Sequence, residues 1–162
     1  MMALDGMKTG VHSTNSFACY GRHAALTLLG TQHADKRFYT VNVQLAAKSH
    51  DGRTFAWKDG INTQLNQQEL FQLSALLLGY APYAEFKRED KGVTVERQDG
   101  SVYVNGTARN SRPCSLPVLP GDVFLLSSLC LSQIAKNTPL SDGSLVLAAI
   151  RGAASLLQQP RG

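Results

Sequence analysis

Glu69-Leu-Phe-Gln-Leu-Ser-Ala-Leu-Leu-Leu78 recurs further along the chain as Asp122-Val-Phe-Leu-Leu-Ser-Ser-Leu-Cys-Leu131. Phe71, Leu73, Ser74, Leu76 and Leu78 match Phe124, Leu126, Ser127, Leu129 and Leu131. Each copy follows a stretch that reads as strands. The unit is longer than most solenoid repeats and is present only twice. Two such strands-then-helix units place two sheets around a shared helical core, an α+β architecture. Paired β-platforms of this kind point to binding of an extended polymer, an argument from architecture alone.

Outward from the first copy, residues 17–29 read as a first strand and 30–36 as a polar loop. Residues 37–48 alternate: Tyr39, Val41, Val43, Leu45 and Ala47 on one face, Phe38, Thr40, Asn42, Gln44 and Lys48 on the other,. His50-Asp-Gly52 turns, residues 53–58 read as a third strand, Asp59-Gly60 turns again, and 61–65 form a fourth. Asn66 with Glu69 makes an approximate capping box for the first helix, and Gly79 ends it. The second unit repeats the plan with strands at 84–89, 93–98, 101–107 and 114–118. Pro120 opens a helix running to about Lys136, and Ser141 and Asp142 are placed to cap a last helix over 143–158.

The domain reading is therefore a flexible arm over 1–16 and one domain over 17–158. That domain holds pseudo-repeats 17–80 and 81–139 plus the C-terminal helix. The chain's 162 residues, 43% apolar and 17% charged, are enough for a real core,. Sixteen Lys and Arg against twelve Asp and Glu give +4, which permits an anionic partner without demanding one,. Cys19, Cys114 and Cys130 form no C-x-x-C pair and read as reduced, buried thiols,. No run of about 18 apolar residues exists to span a membrane. The arm has neither a hydrophobic signal core nor an Arg-rich amphipathic pattern, so a cytoplasmic address is expected, with nucleoid association open. The sequon Asn105-Gly-Thr107 reads as accidental in that setting.

Local catalytic signatures are absent. There is no phosphate-binding glycine loop, no G-x-S-x-G and no H-E-x-x-H,. His12, His23, His33 and His50 lack zinc spacing,. The expectation is a non-enzyme without metal or cofactor. The alternatives are a protein-interaction scaffold and a small enzyme whose site is assembled from loops.

The positive evidence lies on the polar strand faces. Phe38, Asn42, Gln44 and Lys48 share one. Tyr103, Asn105 and Thr107 share another, opposite Val102 and Val104, while Val93, Val95 and Arg97 fall together. Rings beside amides and cations suit single-stranded nucleic acid, with bases stacking and cations meeting phosphates. Arg22, Lys36, Arg37, Lys58, Lys87, Arg88, Arg97, Arg109 and Arg112 supply charge near strand ends. The same rings could equally cover half-exposed sheet, and each cation could be ordinary solvated surface. Phe55 and Trp57 share a face, with one of them expected in the core. Phe71 and Phe124 are expected between helix and sheet. Ser74 and Ser127 read as close helix packing, and apolar helix faces this wide point to a subunit interface.

Tyr20-Gly-Arg-His-Ala-Ala-Leu-Thr-Leu28 resembles the Whirly strand that carries the lysine-glycine-lysine-alanine-alanine-leucine motif. Arg53-Thr-Phe-Ala-Trp57, followed by Glu69-Leu-Phe-Gln-Leu-Ser74, is similar to that family's Arg-x-Tyr-x-Trp strand and its downstream helix. Residues 92–107, then Leu116-Pro-Val-Leu-Pro120 and the second helix, resemble its second half. The likeness spans about residues 17–139. It implies two four-stranded sheets with helices between them and a homotetramer built around the helices. It also implies binding of single-stranded DNA with little sequence preference, in protection, repair, recombination or transfer. Mitochondrial guide-RNA-binding proteins share the architecture, so RNA is the alternative ligand. Where the family has lysines around its glycine, this chain has Gly21, Arg22 and His23, which shifts the charge. The candidate binding residues are Tyr20, Arg22, His23, Phe38, Asn42, Gln44, Lys48, Phe55, Trp57, Lys58, Arg97, Tyr103, Asn105 and Arg109.

Overall fold

Asn66 opens the first repeated helix as its sequence predicts. Its side chain accepts the Glu69 N–H at 2.8 Å, and the Glu69 carboxylate accepts the Asn66 N–H at 3.0 Å. Helix α1 runs Gln67–Leu77, and Gly79, at φ 90°, takes the left-handed turn that ends it,. Helix α2, Pro120–Lys136, starts on its proline; α3, Gly143–Ala154, starts on Asp142, whose carboxylate accepts the Ser144 N–H. The computed structural model describes residues 15–33, 35 and 37–157, so most of the expected arm, Lys36 and the last five residues lie outside the described part.

Among the described residues eight strands form two four-stranded antiparallel sheets. The N-terminal sheet holds β1 (Ser16–Tyr20), β2 (Ala24–Gln32), β3 (Tyr39–Ala47) and β4 (Ile61–Gln64), in that order. The C-terminal sheet holds β5 (Tyr83–Lys87), β6 (Lys91–Gln98), β7 (Ser101–Ala108) and β8 (Ser111–Val118), also in chain order.

Two strand readings need correction. Residues 17–29 are not one strand but β1 and the start of β2, folded back at Gly21-Arg22-His23. The Gly21 N–H donates to the Ala24 carbonyl at 2.8 Å, closing a hairpin that the continuous apolar pattern concealed. Residues 53–58 are a loop rather than a strand. Asp51 Oδ1 accepts the N–H groups of Arg53 and Thr54, which draws this backbone out of the ladder,. Only Phe55 keeps a bridge, to Lys48, before a short 3-10 turn over Trp57–Asp59.

The helices are exchanged between the repeats. Helix α1 packs on β5 and β6 of the C-terminal sheet, while α2 packs chiefly on β1, β2 and β3 of the N-terminal one. Side chains fasten both crossings. Arg88 reaches from the β5–β6 turn to both Glu69 carboxylate oxygens at 2.8 Å and to the Gln64 carbonyl at 2.7 Å. Arg97 donates to the Leu76 carbonyl at 2.8 Å, at the negative end of α1,. In return, the buried Gln133 of α2 (1% exposed) donates to the paired Thr31 and Thr40 carbonyls at 3.0 and 2.7 Å.

Inside, Leu26, Leu28, Val43 and Leu45 meet Val93, Val95, Val102, Val104 and Leu116 in one core. The two sheets are close-packed at Gly106: a Cβ there would stand 2.5 Å from Leu45 Cδ1 and 3.2 Å from Ile61 Cδ1, so a larger residue would force those side chains to shift. The repeated serines behave alike. Ser74 donates to the Leu70 carbonyl and Ser127 to that of Val123, each at 2.7 Å, as packing groups on their own helices,. Burial pushes the Cys130 thiol up to about 12, the neighbouring Ser74 hydroxyl opposing this only in part. Burial, then the nearby Asp122 carboxylate, takes Cys19 to about 12 as well.

Phe124 corrects the expected symmetry of the repeats. Phe71 is half-buried against the core, but Phe124 is 69% exposed. The buried stripe of α2 passes through Leu126, Ser127, Leu129, Cys130 and Gln133, and Phe124 falls outside it.

Candidate nucleic-acid interface

The hairpin at Gly21-Arg22-His23 and the loop after β3 meet at one end of the N-terminal sheet. Lys48, just past β3, donates its N–H to the His23 carbonyl at 2.9 Å. Its bridge to Phe55 brings the loop back, with Lys48 Nζ 5.5 Å from the Phe55 ring centre. Tyr20, ending β1, lies 5.7 Å from the same ring, centre to centre. Tyr20 is 67% exposed and Trp57 40% exposed. Arg22, His23 and Lys58 are exposed around them. Seven of the candidate residues therefore lie on two adjoining loops and the strand ends that carry them. Neither Phe55 nor Trp57 is in the core, because the loop replaces the strand that would have buried one of them.

Asn42 and Gln44 lie on the outer face of β3, opposite Gln64 and Asn62 of β4. The strands of this outer face carry no charged side chain. Outward positions run Ser16, Ala18, Tyr20 on β1; Ala25, Thr27, Leu29, Thr31 on β2; Thr40, Asn42, Gln44, Ala46 on β3; and Asn62, Gln64 on β4. Asn62 and Gln64 were not singled out from the sequence, although the alternation of Ile-Asn-Thr-Gln over 61–64 carries the signal.

The remaining candidates separate from this group. Phe38 shares the polar face by alternation but is only 7% exposed, stacked on His33 at 4.9 Å between ring centres. It is not an open platform. Arg97 lies on the core side of its strand, where its guanidinium serves the end of α1. Tyr103 and Asn105 are half-buried on the outer face of the C-terminal sheet. There Tyr103 sits between Glu96 and Pro117, and Asn105 Oδ1 accepts the Ser115 hydroxyl at 2.5 Å. Arg109 is on the β7–β8 turn, its N–H donating to the Asp90 carbonyl at 3.0 Å. A cleft of about 430 Å³ beside it mixes Lys87, Lys91 and Arg109 with Glu85, Glu89 and Asp90.

Glu85 and Glu96 thus make the C-terminal outer face partly anionic, and the two faces differ in chemistry. Two more cations are spent on joining the sheets: Lys91 Nζ donates to the Asn62 carbonyl, and Arg112 donates to the Lys48 carbonyl at 2.6 Å. Among the described residues no group of three or more His, Cys, Asp and Glu is placed to hold a metal ion.

No protein-family model and no curated sequence matches this chain. Solved structures do. WHY1 from Arabidopsis thaliana superposes with a TM-score of 0.57 at 17% identity, over 91% of this chain and 96% of that one. MRP1/MRP2 of Trypanosoma bruciei gives a TM-score of 0.60 at 12% identity, over 78% and 88% of the two chains. A guide-RNA-binding protein complex bound to a guide RNA gives 0.59 at 12%, over 78% and 94%. The fold is Whirly-like, as the motifs implied.

Proposed function

We propose that this protein binds single-stranded nucleic acid, DNA first, without catalysing a reaction. One observation carries the reading: the uncharged outer face of the N-terminal sheet ends in the ring pair of exposed Tyr20 and half-buried Phe55, with the Lys48 ammonium beside it. Unstacked bases gain contact with such rings whatever their identity, and Lys48, Arg22 and Lys58 meet the phosphates. A duplex hides its base faces and cannot use the rings. RNA is the second reading, favoured by the likeness to a guide-RNA complex. Handling of exposed single strands in protection, repair, recombination or transfer fits a ligand of this kind. Three free buried cysteines fit a reducing compartment such as the cytoplasm,.

We also infer a closed symmetric homo-oligomer. Phe124 and Leu125 on α2, with Leu145 on α3, leave large apolar side chains in water on one chain,. Helix-to-helix packing of copies covers them, and four copies is the number the resemblance implies.

The test is fluorescence anisotropy with a labelled single strand against duplex and RNA competitors at rising salt. Single strands should win over duplex, and affinity should fall steeply with salt as counterions are released. Equal affinity for single strand and duplex, or indifference to salt, would overturn the reading.

A further inference from the structure

The outer face of the C-terminal sheet carries a row that the nucleic-acid reading leaves unused. Tyr83 of β5 lies directly opposite Glu96 of β6, Glu96 opposite Tyr103 of β7, and Tyr103 opposite Pro117 of β8. Side chains on directly opposed residues are near neighbours, so the Glu96 side chain stands between those of two tyrosines. Tyr83 is 48% exposed, Glu96 and Pro117 are exposed, and Tyr103 is half-buried. Glu85 is the diagonal neighbour of Glu96, about 7–8 Å away,. Among the described residues neither carboxylate accepts a hydrogen bond or pairs with a cation. Lys87, the outward cation on β5, stands two rows from Glu96.

We propose that this face docks a basic peptide segment of a partner protein, with an arginine or lysine side chain laid across Tyr83 and Tyr103 and its charge at Glu96. The faces of tyrosine rings attract a cation, and a carboxylate beside them adds a charge-assisted hydrogen bond. Two unpaired carboxylates on one face draw such a partner and repel a phosphate backbone. The row crosses four strands, about 14 Å at the usual strand spacing, which an extended peptide covers with roughly four residues. Leu119, 60% exposed just past β8, continues the row with apolar surface for the flanking residues. A small cation would leave that surface untouched. Pro113 and Pro117 withhold N–H groups along the β8 edge, so the partner lies across the face rather than adding a strand there,. The two sheets thus divide their ligands, the uncharged face for a single strand and the anionic face for a protein.

The experiment titrates a labelled arginine-rich peptide, and its uncharged citrulline counterpart of equal length, into the wild type, Tyr83→Ala, Glu96→Gln and Glu89→Gln. Fluorescence anisotropy should show the arginine peptide binding and the citrulline peptide failing to bind. Tyr83→Ala and Glu96→Gln should each weaken binding about three- to fivefold. Glu89→Gln removes the same charge from the exposed β5–β6 turn, outside the row, and should leave the affinity nearly unchanged. Should Tyr83→Ala melt early, Glu96→Gln carries the comparison. A labelled single strand should bind Tyr83→Ala as it binds the wild type. Equal binding of the two peptides, or of neither, overturns the inference. So does a loss in Glu89→Gln as large as that in Glu96→Gln, which would leave only bulk charge at work. A folded Tyr83→Ala that loses single-strand affinity overturns it too, since the face would then belong to nucleic acid.

Discussion

Asn137 pairs with Tyr39 as a neighbouring strand would: its Oδ1 accepts the Tyr39 N–H at 2.7 Å and its Nδ2 donates to the Tyr39 carbonyl at 2.7 Å. Lys136 lies over the same ring, its Nζ 5.1 Å from the centre. One turn earlier, Gln133 holds the next cross-strand pair of carbonyls. The C-terminal end of α2 is thereby fixed to the start of β3. Asn137→Ala removes both bonds at a partly solvated site and should cost about 1–2 kcal/mol. An unchanged midpoint in urea would show that the pairing contributes nothing to stability.

Phe124 and Phe86 should part company under truncation. Phe86 is fully buried between α1 and the C-terminal sheet. Phe86→Ala should destabilise by about 3–5 kcal/mol. Phe124→Ala should leave unfolding of the single chain almost untouched and weaken assembly instead. Light scattering across a dilution series reads the second effect. A wild-type protein that stays monomeric at micromolar concentration would remove the interface.

Alkaline pH should weaken the fold through Cys130. An unfolded thiol titrates near 9.0, whereas burial keeps Cys130 protonated to about 12. Above pH 9 the unfolded chain releases a proton that the folded chain retains. The stability from this thiol is complete below pH 9 and falls by about 1.4 kcal/mol per pH unit until the folded thiol titrates. Urea midpoints between pH 8 and 11 should fall less steeply in Cys130→Ala than in the wild type. Parallel slopes would argue against it.

Tyr20 and Arg97 separate binding from folding. Tyr20→Ala removes an exposed ring and should lose about 1–3 kcal/mol of single-strand affinity with little change in melting temperature. Arg97→Ala leaves the last carbonyls of α1 without their donor and should lower stability with affinity unchanged. The reverse pattern in these two variants would move the binding surface to the C-terminal sheet.

The regular parts of this fold are legible because each rests on local chemistry. The Asn66–Glu69 box, Pro120 and Asp142 mark all three helix starts, and alternation marks β3, β6 and β7. The first hairpin was hidden because its turn carries no Asn-Gly or Asp-Gly pair and both its arms are apolar. Residues 53–58 look like a strand, but Asp51 captures their N–H groups, a contest that propensity does not decide. Among the candidate residues, alternation placed Asn42, Gln44, Tyr103 and Asn105 on outer faces. It could not show that Phe38 is covered by His33, which needs the β2–β3 connection to fold back on itself, or that Arg97 caps a helix, which belongs to another element. The Tyr20–Phe55–Lys48 cluster assembles across 35 positions and needs the fold itself.

The crossing of the two helices bears on how such a chain can be divided. Cut at the Gly79–Pro82 connection, the N-terminal half keeps four strands and α1 and the C-terminal half four strands, α2 and α3, yet α1 and α2 each cover mainly the other half's sheet. A lone half has no proper roof. Two halves offered to one another complete both sheets at once, each lending what the other lacks. The intact chain is thus a swapped dimer made covalent. Reconstitution from two separate fragments is the form of assembly its topology already describes.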